Sequence, residues 1–147
     1  MKWHLKTFNQ LNLQELYTIL KLRVDVFVVE QNCAYPEVDG VDVECLHLFA
    51  TEGEKIVAYS RLITGEEADH VSIGRIVVHP EHRQKRYGIE LVKQSIEVVE
   101  SKFPNRYQKV HAQVYLLAFY RSFGFKEVTE HYLEDGIWHV DMIRQKA

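Results

Sequence analysis

HPEHRQKRYGIELV, residues 79–92, is the stretch that decides the fold of this 147-residue chain. It follows VSIGRIVV, a β-branched run typical of a strand, and leads into a long helical pattern. A helix N-terminus presents unpaired N–H groups and a partial positive charge, so it attracts phosphate. Arg83, Lys85 and Arg86 add charge, and Gly88 allows close backbone approach. These residues alone leave a phosphate-binding loop and a solvated basic turn equally open.

Length and composition predict one domain covering residues 1–147. The chain has 18 basic and 21 acidic residues, a net charge of −3, which argues against nucleic-acid binding. The N-terminus lacks a signal-peptide pattern, and no apolar run approaches the roughly 18 residues that a membrane span needs. We therefore expect a cytoplasmic protein that does not enter membranes. Cys33 and Cys45 are expected to be free thiols in that compartment.

The hydrophobic pattern before the loop predicts a strand, a helix and three more strands. WHLKTF alternates like a strand, and a helix is expected to begin after Asn12 as its N-cap. Residues 30–44 read as an acidic loop or a broken second helix. HLFATEG and EKIVAYSRLIT predict an antiparallel pair that precedes VSIGRIVV. The predicted buried face of the helix comprises Leu13, Leu16, Tyr17, Leu20, Val24 and Phe27.

After the loop the pattern predicts a long helix, a strand, a short helix and a hairpin. The long helix is expected to stop at Pro104 and Asn105 and to present one face of residues at helical spacing, namely Gly88, Leu91, Val92, Ser95, Ile96, Val99 and Phe103. Residues 125–132 and 137–143 are expected to be the two arms of the hairpin, across Glu-Asp-Gly. The element order indicates an α+β (α/β-like) fold with one mixed sheet.

A second segment, AFYRSFGF (residues 118–125), places Tyr120 four residues before a Gly-Phe pair. Taken alone, its aromatic residues are typical of a core. Following the basic loop in this order, it resembles a motif of the GNAT superfamily of N-acetyltransferases, whose acetyl-CoA loop reads R/Q-x-x-G-x-G/A. Arg83 matches the first position of that loop and Gly88 its last glycine, while Arg86 replaces the middle glycine.

Further matches extend the resemblance over nearly the whole chain and narrow it to the ElaA-like branch of the superfamily. LRVDVFVVEQNCAYPEVDGVD (residues 22–42) follows the branch's early pattern closely. SRL, GRIVV and EDGIWHVDM also match, with Trp138 where the branch more often has proline. The resemblance implies the GNAT fold: a mixed, mostly antiparallel central sheet of six to seven strands flanked by three to four helices.

The resemblance also implies an activity, namely transfer of an acetyl group from acetyl-CoA to a primary amine by direct attack. The acceptor would be a small molecule or a peptide, and the C-terminal strands could mediate a homodimer. Tyr120 would be the general acid for the departing thiolate, and the backbone N–H of Val78 would meet the oxyanion. The cofactor-binding residues implied are Ile76, Val77, Val78, Arg83, Gln84, Lys85, Arg86, Tyr87, Gly88 and Ile89.

The sequence does not identify the general base. His79 lies just past the predicted strand and His111 lies on the next one, and a carboxylate acting through water would serve equally well. A second polar group contains Arg23, Glu30, Glu37, Asp39, Asp42 and Arg61. These residues either form an acceptor pocket for a cationic amine or pair among themselves to hold the acidic loop on the sheet. Their spacing fits no metal-site pattern, so no metal is expected.

Two other functions remain as alternatives. The pattern R-x-x-VF…E-x-D-x-x-D…RL, which runs from Arg23 to Leu62, also resembles acyl-homoserine-lactone synthases. Those enzymes use an acyl carrier protein and S-adenosylmethionine and are typically longer, with a tryptophan near the position of Cys33. A non-catalytic acetyl-CoA sensor is the other alternative, since no base is identified and Arg86 departs from the loop motif.

Overall fold

The structure, a computed structural model, describes residues 1–146 and arranges eight strands in one sheet. The strands are β1 (Lys2–Thr7), β2 (Cys45–Glu52), β3 (Lys55–Ile63), β4 (His70–Val78), β5 (Tyr107–Gln113), β6 (Lys126–Glu127), β7 (Tyr132–Glu134) and β8 (Ile137–Arg144). The α-helices are α1 (Leu13–Arg23), α2 (Tyr87–Lys102) and α3 (Leu117–Arg121). This is the predicted mixed α+β fold.

The sheet runs β1-β2-β3-β4-β5-β8-β6, and β7 pairs with β8 beside β6. The pairing of β4 with β5 is parallel, whereas the other pairs are antiparallel. Parallel neighbours need a crossover, and α2 supplies it. The sheet has eight strands rather than six to seven because β6 and β7 are separate short strands, where one hairpin arm was predicted.

Helix α1 begins as predicted but turns a different face to the sheet. The Asn12 side chain accepts a hydrogen bond from the Glu15 N–H at 2.7 Å, and Glu15 accepts one from the Asn12 N–H. The predicted buried face was wrong: Leu13 is 87% exposed and Tyr17 is 71% exposed. The helix instead buries a face that includes Arg23, whose carboxylate partners lie on that side. The other buried residues of α1 are Ile19 and Leu22.

Residues 24–30 continue α1 as a wider, π-helical segment (Val24–Glu30), and the acidic loop follows it. A π-helix forms its hydrogen bonds from i to i+5 and holds more residues per turn than an α-helix, so the α-helical spacing used for the prediction does not apply to Val24 and Phe27. At the end of this segment, Glu30 pairs with Arg83 of the basic loop.

Helix α2 turns most of its predicted apolar face toward the sheet, on the side opposite α1. Val92, Ile96 and Val99 join residues of β4, β5 and β8 in one core cluster, to which Tyr120 and Phe125 also belong, while Leu91 packs with residues of β2 and β3. The buried residues of α2 are Leu91, Val92, Ser95, Ile96 and Val99. Each fully buried Leu, Val or Ile side chain contributes about 1.5–3 kcal/mol, so α2 is firmly fixed against the sheet.

Both cysteines are free and buried, as expected. The thiol of Cys33 donates to the backbone carbonyl of Asp135, which ties the acidic loop to the turn between β7 and β8. Within residues 1–146, no helix combines the length and apolar character that a membrane crossing requires.

Candidate active site

The parallel strands β4 and β5 separate partway along their length. They pair from His70 opposite Tyr107 to Ser72 opposite Lys109, and no further. Beyond that point a cleft of about 1120 Å³ opens, and residues of both strands line it. A cleft between diverging strands exposes backbone groups that a sheet would otherwise satisfy.

The edge of β4 that faces the cleft carries free backbone N–H and C=O groups. The His79 N–H donates to the Val57 carbonyl on β3 at 2.8 Å. Backbone groups alternate in direction along a strand, so those of Val77 also face β3, whereas those of Ile76 and Val78 face the cleft. An extended ligand can therefore pair with this edge as an added strand would.

A β-bulge in β4 lies directly before Ile76, where the free backbone groups begin. The register with β3 shifts between Tyr59 and Arg61, and Arg75 on β4 adopts a left-handed backbone with φ 49°. The extra residue reverses which side chains face each side of the sheet. Val71 thus packs with the α2 cluster, while Val77 packs with the α1 cluster.

The basic loop passes from β4 into α2 through a short 3-10 helix, Pro80–Lys85. Arg86 then takes a left-handed conformation, with φ 61° and ψ 20°, and α2 begins at Tyr87. Glycine adopts this conformation without cost, which explains why the motif has glycine there, whereas another residue incurs about 1–2 kcal/mol. Arg86 therefore keeps the backbone shape of the motif and adds a positive charge.

The first turn of α2 lies directly against the end of β4. A Cβ atom placed on Gly88 would be 3.9 Å from Cγ2 of Val78. Of the expected cofactor residues, Ile76, Val77, Val78 and Arg83 line the cleft, whereas residues 84–89 do not line it and follow Arg83 along the loop into the first turn of α2. The helix N-terminus and the free N–H of Val78 thus occupy the same end of the cleft.

Arg83 and Glu30 pair with each other across the mouth of this cleft. The two guanidinium nitrogens of Arg83 meet the two carboxylate oxygens of Glu30, with Nη2 2.5 Å from Oε2. The hydrogen bond from Arg83 lowers the pKa of Glu30. Both side chains line the cleft, so a residue expected to contact the cofactor and one expected to contact the acceptor lie side by side.

Tyr120 reaches the cleft from α3, on the side of the sheet where α2 packs. The residue is 6% exposed, and Phe119 and Phe125 contact its ring edge to face. Burial raises the pKa of Tyr120. The phenol therefore keeps its proton at neutral pH and can act as a hydrogen-bond donor or a proton donor.

Arg23 and Asp42, expected as acceptor contacts, lie beneath the cleft and do not line it. Arg23 donates from Nε to Glu37 at 2.8 Å and from Nη1 to Asp42 at 2.7 Å. Arg61 donates to Asp42 at 3.0 Å and to Asp39 at 2.7 Å. Arg23 and Asp42 were expected to contact the acceptor, and this expectation is wrong. Both residues are buried, and their charged groups are used in these ion pairs, as buried charges require. The alternative, that arginines hold the acidic loop on the sheet, is what the structure shows.

Asp39 and Arg61 lie at the boundary between this ion-pair group and the cleft, which both residues line. The hydrogen bond from Arg61 lowers the pKa of Asp39. Burial alone would raise the pKa of Asp42, but hydrogen bonds from Arg23 and Arg61 lower it below its ordinary value. The carboxylates are thus held ionised in this group.

The wall of the cleft formed by β5, β7 and β8 carries polar residues that the sequence pattern did not single out as a site. They are Tyr132, Glu134 and His139, which line the cleft with His111. Their common position follows from the register of β8 with β5 and β7, which places His111 opposite Asp141 and Tyr132 opposite His139. Strand alternation could have indicated it, but only once the pairing of these strands was known.

Residues 20–146 match the sequence model of the acetyltransferase (GNAT) domain, and the chain belongs to that family. It is an acyltransferase with a GNAT fold, so the predicted family and enzyme class are confirmed.

Individual relatives narrow the placement to the ElaA-like branch. Protein ElaA of Escherichia coli is 36% identical over 148 residues, covering 99% of this chain and 97% of that protein. A UPF0039 protein of Schizosaccharomyces pombe is 48% identical over 139 residues, covering 93% and 92% respectively.

Solved structures agree with the sequence relatives. The crystal structure of E. coli ElaA superposes with a TM-score of 0.93 at 36% identity, covering 99% of this chain and 100% of that one. An acyl-CoA N-acyltransferase from Pseudomonas aeruginosa superposes with a TM-score of 0.93 at 38% identity and the same coverage. The predicted ElaA-like resemblance is confirmed.

Proposed function

We propose that the protein is an N-acetyltransferase that moves the acetyl group of acetyl-CoA to a primary amine by direct attack. The observation that carries this proposal is the free edge of β4, which shares its cleft with the Tyr120 hydroxyl. One wall can bind an extended acyl carrier, and the other offers a proton for its sulfur.

The residues present fit coenzyme A. Its pantetheine arm contains amides, which match the outward-facing N–H and C=O groups of Ile76 and Val78. Its pyrophosphate matches the start of α2, where unpaired N–H groups meet the positive charges of Lys85 and Arg86. When bound, the thioester supplies the activated acetyl group.

The protein's own groups would then divide the chemistry between them. The Val78 N–H is the candidate donor to the carbonyl oxygen as negative charge develops on it. Tyr120 would give its proton to the departing thiolate, since a phenol held neutral by burial has that proton available. Apolar side chains pack around the ring of Tyr120 and hold it in place for this transfer.

The opposite wall supports a cationic amine as the acceptor. Glu134 and Asp135 are exposed carboxylates that line the cleft, whereas the charge of Asp39 is matched by Arg61. Negative charge in a cleft raises the local concentration of cations. We therefore expect small polyamine-like amines or exposed peptide amines to react better than anionic amino acids.

An assay with a panel of amines, following release of the free CoA thiol, tests the proposal. The panel should contain polyamines, aminosugars, peptides with a free N-terminus or lysine, and amino acids. Thiol release above the rate of acetyl-CoA alone with at least one amine is the expected result. Release with none of them would contradict the proposed transfer to an amine.

A thermal-shift titration distinguishes the proposed N-acetyltransferase from the two alternatives, a lactone-synthase-like enzyme and a non-catalytic acetyl-CoA sensor. A ligand that binds only the folded state raises the melting temperature, by an amount that depends on its concentration relative to Kd. Acetyl-CoA should raise it and S-adenosylmethionine should not. A shift with S-adenosylmethionine alone would favour a lactone-synthase-like enzyme, whereas an acetyl-CoA shift without transfer to any amine would favour a sensor.

A further inference from the structure

His111 and Asp141 form a hydrogen-bonded pair on the wall of the cleft that faces away from the α2 core. Nδ1 of His111 is 2.6 Å from Oδ1 of Asp141, and the two residues are opposite each other in the register of β5 and β8. Their neighbours in β5, Val110 and Ala112, point into the α2 cluster, so His111 projects from the other face of the sheet. The pair and Tyr120 thus approach the cleft from opposite faces.

The contacts of Asp141 fix the direction of the imidazole and its tautomer. Burial would raise the pKa of Asp141, but hydrogen bonds from Tyr132 and His111 lower it, so its carboxylate is ionised and only accepts. Nδ1 of His111 must therefore carry the proton when the ring is neutral. Nε2 then has a lone pair and can accept a proton.

The charged and titratable groups around His111 come from three strands. Asp141 on β8 bonds to its Nδ1, and the Tyr132 hydroxyl on β7 lies 3.4 Å from the same atom. On β5, Lys109 reaches Oδ2 of Asp141 at 3.5 Å, while His139 on β8 stacks on the ring of Tyr132. The His111 side chain is 53% exposed, so a proton it accepts can pass to water.

His79, the other histidine that the sequence offered as a general base, makes a structural hydrogen bond outside the cleft. Its Nδ1 accepts a hydrogen bond from the Glu81 N–H at 3.2 Å and so caps the 3-10 helix of the basic loop. It is not among the residues that line the cleft, whereas His111 is. The structure therefore separates two histidines that the sequence left equivalent.

We propose that His111 is the general base that deprotonates the amine acceptor and that Asp141 is its positioning residue. This inference rests on the proposed N-acetyltransferase function. Nε2 takes one proton from the ammonium group and passes it to water. The nitrogen lone pair forms the C–N bond, the C–S bond breaks, and the thiolate takes the proton of Tyr120. The second proton lost from the nitrogen returns to Tyr120 through water, leaving an amide, a free thiol and one released proton.

The test compares pH profiles of kcat/KM for the full-length protein and two variants, with the most reactive amine of the panel. His111→Gln should lower kcat/KM about 100-fold at pH 7, the scale of general-base catalysis. The deficit should shrink as the pH approaches about 10, where a lysine-like amine has lost its proton in solution. Asp141→Asn should lower kcat at pH 7 more than it changes KM, because an amide can donate to Nδ1 and so favour the tautomer whose Nε2 carries the proton.

A matched control is available in His70, which pairs with Asp69 at 2.8 Å outside the cleft. His70→Gln should keep the wild-type profile, and all three variants should keep the melting-temperature shift with acetyl-CoA. Wild-type activity of His111→Gln at pH 7, or a deficit equal at every pH, would overturn the assignment of the base. A wild-type protein inactive with every amine would instead contradict the proposed function, so the two failures are distinguishable.

Discussion

Arg23 and Asp42 form an ion pair inside the protein, with Nη1 2.7 Å from Oδ1 and side chains that are 1% and 8% exposed. Helix α1 supplies the arginine, and the acidic loop supplies the aspartate. The same carboxylate also accepts from Arg61 on β3, so one atom joins three parts of the chain. This pair determines which face of α1 packs on the sheet and fixes the loop that borders the cleft.

Replacing Arg23 should destabilise the fold strongly. Arg23→Met removes the charge that neutralises Glu37 and Asp42, and breaking a buried pair in this way costs about 3 kcal/mol or more. Urea denaturation measures the free energy of unfolding. Lys21→Met is the control on the same helix, because its pair with Asp25 is exposed and such pairs contribute little to stability. Equal stability of the two variants would contradict a structural role for Arg23.

The ion-pair group should also make the protein sensitive to acid. Asp39 and Asp42 have pKa values below the ordinary value of about 3.9, so their stabilising effect is complete above that pH. It is lost as the pH falls through the lowered values of the folded state, because the unfolded chain then binds more protons. The free energy of unfolding should fall steeply below about pH 4. Asp39→Asn should flatten that slope, and an unchanged slope would exclude Asp39 as a source of the acid sensitivity.

Tyr120→Phe should separate catalysis from cofactor binding. Loss of the proton donor should lower kcat by about 100-fold, in line with general-acid contributions. The melting-temperature shift with acetyl-CoA should persist, since the ring and its packing against Phe125 remain. Tyr17→Phe, on the exposed face of α1, is the control and should be fully active. Unchanged kcat in Tyr120→Phe would remove Tyr120 from the acid role.

Glu30→Gln should tighten cofactor binding. In the structure Arg83 is paired with Glu30, so a pyrophosphate that contacts Arg83 must compete with this carboxylate. Exposed pairs contribute about 0.2–1 kcal/mol, so removing the competitor should lower Kd for acetyl-CoA up to about fivefold. Titration calorimetry measures the change. Glu81→Gln, which removes a carboxylate paired with Lys55, is the control on the same loop. Weaker binding by Glu30→Gln would mean that Glu30 supports the cofactor site.

Much of the fold could be predicted from local signals. The Asn12 cap, the turn between β2 and β3 and the buried face of α2 follow from patterns a few residues long. The buried face of α1 could not be predicted, because Arg23 is polar by every scale and is buried only through carboxylates 14 and 19 positions away. Periodicity favoured Leu13 and Tyr17, which are exposed.

The candidate site likewise has some parts that could be predicted from the sequence and others that could not. The basic loop and Tyr120 could be recognised as motifs because each lies within one short segment. The bulge at Arg75 and the pairing of His111 with Asp141 depend on strand register, which is set by tertiary packing. For that reason the sequence indicated the acyl donor while leaving the base open.

Residue-resolved hydrogen exchange on β4 tests the central claim most directly, namely that an acyl-CoA pairs with the free edge of this strand. The Ile76 and Val78 amides should exchange fast in the free protein and slowly with acetyl-CoA bound, since they face the cleft. The Val77 and His79 amides face β3 and should be protected in both states, which makes them internal controls. If acetyl-CoA binds and the exchange of Ile76 and Val78 does not change, the cofactor lies elsewhere and the proposed site is wrong.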